Sequence, residues 1–186
     1  MSAAFAEYMI QKKLCHAVNI MVIDYCESLY VPHHKAVRLE HLKSLDQLEN
    51  DRHYDVVITS AVFEHLPKPG AAMKKLFGTL KKDGVMYIRT PYKYPLRVGL
   101  AKIGIRYDLQ YPEHIWDFGG YGWWKNLAEN IGCRQMVLAV SQPSIVESSF
   151  RVRFGSALAA YVLKAPGYVM HKWPYVGGWE TVYIKK

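Results

Sequence analysis

Three short β-branched runs end in residues able to hold a small polar ligand. Asp24–Tyr25 follow the run Val18 to Ile23, Thr59–Ser60–Ala61 end and follow YDVVIT, and Thr90–Pro91–Tyr92 close VMYIR. An acid at a strand tip accepts hydrogen bonds from vicinal hydroxyls, which suits Asp24 to a ribose. Strands also end in Asp for turn chemistry, so Asp24 alone carries both readings. Metal chemistry finds no support. The eight histidines show no HExxH or comparable ligand spacing, and His33–His34 follow Pro32 in a loop-like stretch. Cys15, Cys26 and Cys133 are odd in number and widely spaced, without a CxxC pair. That usage points to reduced thiols in the cytoplasm rather than to zinc or a disulfide scaffold.

The elements that would position these tips alternate between strand and helix. Residues 3–14 place Phe5, Tyr8 and Met9 on one helical face, ahead of a buried strand over Val18 to Ile23 and a weaker one over Val37 to Leu42. Tyr54 to Thr59 reads as a strong strand. A helix from Pro69 to Lys82 follows, with apolar Ala72, Met73, Leu76, Phe77 and Leu80 at helical spacing and Lys74, Lys75, Lys81 and Lys82 on its wet face. Asp83–Gly84 stop it. Val85 to Arg89 is the next strand, 92–119 is irregular and aromatic, Trp123 to Ile131 is a helix, and Gln135 to Val140 and Glu180 to Ile184 are strands. This alternation predicts an α/β fold, a mostly parallel sheet with helices on both faces, whose ligand lies outside the carboxyl ends of the strands.

The chain has 186 residues, 51% hydrophobic and 22% charged, which suits one domain with one core. Its longest uncharged apolar-leaning run, Phe154 to Leu163, is too short to span a bilayer, and no secretory signal core is present. The net charge of +8 is scattered except in 150–186, where Arg151, Arg153, Lys164, Lys172, Lys185 and Lys186 oppose Glu180 alone among tyrosines and tryptophans. Such a segment suits peripheral contact with a membrane or a phosphate, or else forms a solvated rim around packed aromatics.

YDVVITSAVFEHLPKP (54–69), a helix, and LKKDGVMYIRTP (80–91) resemble, in order and spacing, two motifs of the class I S-adenosylmethionine-dependent methyltransferases. PEHIWDFGGYGWWKNLAENIGC (112–133) is similar to a third segment of the same small-molecule branch. The resemblance implies a Rossmann-like sheet whose last strand, Glu180 to Ile184, runs antiparallel between its neighbours, in a single domain. Residues 1–140 would form the cofactor-side core, 141–179 an insertion or lid, and 180–186 the last strand.

It also implies roles. Asp24 would hold the ribose of S-adenosylmethionine and Tyr25 would pack on its adenine. Thr59, Ser60 and Ala61 would line the methionine end, with Glu64 and His65 beside it. His65 either contacts the cofactor or orders its loop. His114 is the candidate general base, or else a residue that orders the loop or orients the acceptor; an imidazole suits either role near neutrality. Tyr92, Tyr111 and Trp116, with Tyr94, Trp123 and Trp124, would form the acceptor site, and some of these aromatics would instead fill the core.

Two departures stand out. The family's first strand and glycine-rich loop have no counterpart, and MSAAFAEYMIQ is similar to the helix that follows that loop. The expectation is a truncated chain lacking the first strand, which binds cofactor poorly. The family acid that caps the adenine amino group has no clean match either. Spacing puts Lys43 near it, and Glu40 or Asp46 would have to substitute.

The expected function is methylation of a small molecule. VGGWE (176–180) resembles C-terminal ends of methyltransferases of surface-glycan and lipid pathways, which suggests a glycan- or lipid-linked acceptor. The competing reading is a non-catalytic remnant or binding subunit. Nucleic acid is a poor partner: (D/N)PPY is missing and the cations form no single stripe.

Overall fold

A computed structural model describes residues 2–23, 34–49, 51–92, 94–104, 116, 121–141, 154–155, 158, 162, 165–166 and 177–186. The chain forms two compact units, Met1–Arg52 and His53–Lys186.

In the first unit, helix α1 (Ser2–Gln11) packs on strands β1 (Val18–Ile23) and β2 (Val37–Leu42). The strands are parallel, with Val18 opposite Val37 and Ile23 opposite Leu42. The helix ends short of residue 14. Lys13 takes a left-handed φ of 56° while its N–H donates to the Ile10 carbonyl and the Leu14 N–H to Met9. That pattern caps the last turn and breaks the helical repeat. Arg52 joins Glu40, at 2.5 Å from Nη1, to Glu49, at 3.1 Å from Nε. The two carboxylates raise the guanidinium's pKa further, chiefly through the Glu40 hydrogen bond.

The second unit is built on β3 (Tyr54–Ser60), α2 (Pro69–Gly78), β4 (Leu80–Tyr92), α3 (Tyr94–Lys102), α4 (Tyr121–Asn130), β5 (Cys133–Val140) and β6 (Gly177–Lys185). The strand order is β3-β4-β6-β5. β3 and β4 are parallel, and β6 runs antiparallel to both β4 and β5. The sheet is therefore mostly parallel, and its one antiparallel strand lies between two neighbours, as expected.

Opposed residues share a face, so the register sorts the side chains. Thr59, Ile88, Thr181 and Leu138 lie on one face, with Met86, Tyr183 and Trp179. This face is the core. Met86, Ile88, Thr181 and Tyr183 are fully buried, and Ala72, Met73 and Phe77 of α2 are buried as well. The Phe77 and Tyr183 rings meet edge to face at 5.9 Å, and the Tyr183 hydroxyl donates to the carbonyl of Trp124 in α4. Both α2 and α4 thus cover this side. On the opposite face Val56, Ile58 and Val137 stay largely exposed.

Helix α2 is shorter than its apolar spacing predicts. Thr79 ends it: its N–H donates to Lys75, its hydroxyl to the Leu76 carbonyl at 2.9 Å, and its own carbonyl accepts from the Tyr54 N–H. That last bond draws the chain onto the sheet. Leu80 pairs with Tyr54, and Lys81 and Lys82 lie in β4 rather than on a helix, with the Lys81 ammonium 2.8 Å from Asp55. A second correction concerns 94–102, expected as irregular and found as α3.

Candidate functional site

The parallel pair β3–β4 places its two carboxyl ends side by side, with Ser60 opposite Arg89. Thr59 points into the core, buried, and its hydroxyl donates to the Tyr87 carbonyl at 3.4 Å. Ser60 alternates to the other face and is exposed. Ala61 then turns the chain away through a left-handed φ of 55°, while its N–H donates to the Arg89 carbonyl at 2.9 Å. A residue with a Cβ is strained there, and the bond to β4 holds it in place. Replacing Ala61 with Val should lower stability by about 1–2 kcal/mol, read by urea denaturation, because branching at Cβ worsens the same clash.

The turn that follows, Phe63–His65, is a single 3₁₀ turn anchored by Phe63 in the core. Glu64 is fully buried, and its Oε1 lies 4.0 Å from Nε2 of the half-exposed His65. Trp116 closes over the same turn. Its N–H donates to the Glu64 carbonyl at 3.2 Å and its indole N–H to the Leu66 carbonyl at 2.8 Å. Trp116 is therefore fastened at two points to the turn that follows β3. Trp116→Phe should cost about 1 kcal/mol and speed amide exchange within 63–66, measured by hydrogen–deuterium exchange, because the Leu66 carbonyl loses its donor.

At the end of β4, the rings of Tyr92 and buried Trp179 lie 6.2 Å apart. Beside Ser60, on the same face, Arg89 Nε approaches Glu180 Oε1 at 3.5 Å. Tyr87 neighbours that pair. Burial raises its phenol pKa, and Glu180 adds to the shift. Arg89, Trp179 and Glu180 did not stand out as site residues in the sequence. Their signal was the alternation of VMYIR and GWETV, which puts Arg89 and Glu180 on one face of paired strands.

The structure thus gathers Thr59, Ser60, Ala61, His65 and Trp116 around the β3 tip, with Tyr92 at the end of the adjoining strand. Asp24, Tyr25, Tyr111 and His114 lie outside the described residues. Of the stand-ins for an adenine-capping acid, Glu40 is engaged by Arg52. Lys43 donates its N–H to Gln47 Oε1. Among the described residues, no group of histidines, cysteines and carboxylates could hold a metal. Cys133 is buried, which pushes its thiol pKa up.

The donor set suits an amino-acid end of a ligand. A hydroxyl, an exposed imidazole and the peptide edges left by the turn can accept from an ammonium and donate to a carboxylate. The residues present at the β3 tip therefore fit the methionine end of S-adenosylmethionine.

Residues 3–137 match the family described as Methyltransferase domain. A 58-residue stretch is 36% identical to the ubiquinone biosynthesis O-methyltransferase of Caulobacter vibrioides, covering 31% of this chain and 23% of that protein. The chain thus spans under a quarter of that relative. A protein from Listeria monocytogenes assigned to the S-adenosylmethionine-dependent methyltransferases superimposes with a TM-score of 0.52 at 12% identity, over 90% of this chain and 80% of that one. At that identity the likeness is one of fold. A protein from Galdieria sulphuraria assigned as a sarcosine dimethylglycine methyltransferase aligns at a TM-score of 0.48 and 16% identity, over 97% of this chain and 63% of that one.

Proposed function

The chain belongs to the methyltransferase-domain family, and from that premise we propose that it transfers a methyl group from S-adenosylmethionine to a hydroxyl-bearing small molecule. Bound S-adenosylmethionine supplies a methyl group on a sulfonium, with its own leaving group. The protein's task is then to hold donor and acceptor in line and to exclude water.

The observation that carries this reading is the β3 tip, where a strained turn exposes Ser60 beside a turn capped by Trp116. Ser60, Ala61 and His65 would hold the amino-acid end of the cofactor. Asp24 and Tyr25 would hold its nucleoside end. Trp116, Tyr92 and Tyr111 would bound the acceptor on its aromatic side, and Trp116 would set the height of that wall over the cofactor. A hydroxyl acceptor must lose a proton as the new bond forms, and His114 is the candidate to take it.

Support for an oxygen acceptor comes from the Caulobacter relative, which is named an O-methyltransferase. A glycan- or lipid-linked acceptor is suggested by the VGGWE segment.

Ultraviolet crosslinking with methyl-tritiated S-adenosylmethionine tests the cofactor assignment. Label should fall within 53–74 and be competed by S-adenosylhomocysteine. Label elsewhere, or label that resists competition, would overturn it. For the base, His114→Ala should abolish the pH dependence of the rate and slow turnover about 100-fold or more near neutrality. An unchanged pH–rate profile removes that role from His114.

A further inference from the structure

We infer that Glu64 sets the charge preference of the β3 tip: its buried carboxylate favours a ligand bearing the sulfonium over the neutral thioether that remains once the methyl group has left. The inference rests on the reading that the methionine end of S-adenosylmethionine docks there. It adds the residue that tells the methyl donor from the spent product.

Glu64 is the middle residue of the 3₁₀ turn Phe63–His65 and is fully buried. Burying a carboxylate carries a large desolvation cost, and an apolar side chain of similar size would fill the same space without it. The charge itself therefore calls for a role. Its place ties it to the site. Oε1 lies 4.0 Å from Nε2 of His65, and His65 is half exposed. One imidazole thus separates the carboxylate from the surface on which the ligand would rest. The residue is also held in position: its carbonyl accepts the Trp116 N–H at 3.2 Å, and Phe63 beside it is buried.

Water and salt screen a buried charge far less than an exposed one, so it acts on a ligand through its field without touching it. S-adenosylmethionine and S-adenosylhomocysteine share the adenosine, the ammonium and the carboxylate. They differ in one methyl group and the positive charge it places on sulfur. Comparing the ratio of their affinities in native and variant protein cancels the methyl group and leaves the charge. At an effective dielectric constant of about 20, a carboxylate within about 10 Å of a cation raises its affinity about tenfold or more.

Isothermal titration calorimetry of the whole chain with each ligand reads this without turnover. Glu64→Gln keeps the shape and removes the charge. It should lower the ratio of S-adenosylmethionine to S-adenosylhomocysteine affinity about tenfold, with the S-adenosylhomocysteine affinity kept. Glu64→Asp should retain the native ratio. A ratio unchanged in Glu64→Gln overturns the inference, and so does a loss of both affinities by one factor, since Glu64 would then only support the turn. If Glu64→Gln fails to fold, an analogue whose methylated sulfur is replaced by a carbon bearing an ammonium takes its place. The native protein should bind that analogue about tenfold more tightly than S-adenosylhomocysteine, and equal or weaker binding refutes the inference. Native protein that binds none of these ligands at millimolar concentration would overturn the docking itself; the other adverse results overturn the role of Glu64 alone.

Discussion

Gly178→Ala is expected to lower stability by about 3 kcal/mol, the largest loss among the described glycines. Gly178 sits where the start of β6 passes between Pro91 of β4 and Ser141 just beyond β5. A Cβ there would lie 2.2 Å from the Thr90 carbonyl oxygen, 2.8 Å from Ser141 Oγ and 3.1 Å from Pro91 Cα. Two of those neighbours are backbone in a paired strand, so β6 itself must move. The movement would lengthen the bond from the Ser141 N–H to the Gly178 carbonyl, now 2.8 Å, and unseat Trp179 from the core. Gly70→Ala supplies the contrast. Nothing lies within 4 Å of its added methyl, in the first turn of α2, and stability should rise by up to about 1 kcal/mol. Urea denaturation of both variants checks the pair, and equal effects would refute the packing described for β6.

Removing the Tyr183 hydroxyl should have the next largest effect, and it depends on pH. The ring is fully buried; its hydroxyl donates to the Trp124 carbonyl at 2.9 Å and accepts from Gln135 Nε2 at 3.3 Å. Tyr183→Phe leaves that carbonyl without a donor, which should cost about 1–3 kcal/mol near neutrality. Burial, partly offset by hydrogen bonds from Thr181 and Gln135, pushes the phenol pKa up from 10.0 to about 12. The folded state therefore favours the neutral phenol. That contribution is fully present below pH 10 and is lost as pH rises towards 12, amounting to about 2–3 kcal/mol. Denaturation midpoints from pH 8 to 12 should fall more steeply for the native protein than for Tyr183→Phe. Parallel curves would show that Tyr183 titrates as an exposed tyrosine does.

Much of this architecture was legible in the sequence, and for a physical reason. β1 and β3 are short runs rich in Val and Ile between polar breaks, a pattern that favours a strand, and the observed limits of β1, β2 and β3 agree with the reading to within a residue. Helix ends were less legible. Leu80 continues the apolar spacing of α2, but Thr79 bonds back to Leu76 and hands its carbonyl to Tyr54, so a tertiary contact overrides the periodicity. The position of Thr59, Ser60 and Ala61 at the β3 tip could be read because they end and follow a strong strand, but not that Thr59 turns into the core. The strain at Ala61 could not, since nothing in its side chain favours a left-handed backbone. Nor could the two-point fastening of Trp116, whose acceptors are carbonyls fifty residues away and invisible to any motif.

The end of β3 is the place where a nucleoside-bearing amino acid should dock. Two-dimensional amide NMR of isotopically labelled protein, titrated with S-adenosylhomocysteine, asks this residue by residue and registers even weak binding. The largest shifts should fall on the amides of Ser60, Ala61 and His65 and on the indole N–H of Trp116, saturating together. Shifts confined to residues elsewhere in the chain, or a spectrum unchanged at millimolar ligand, would contradict it.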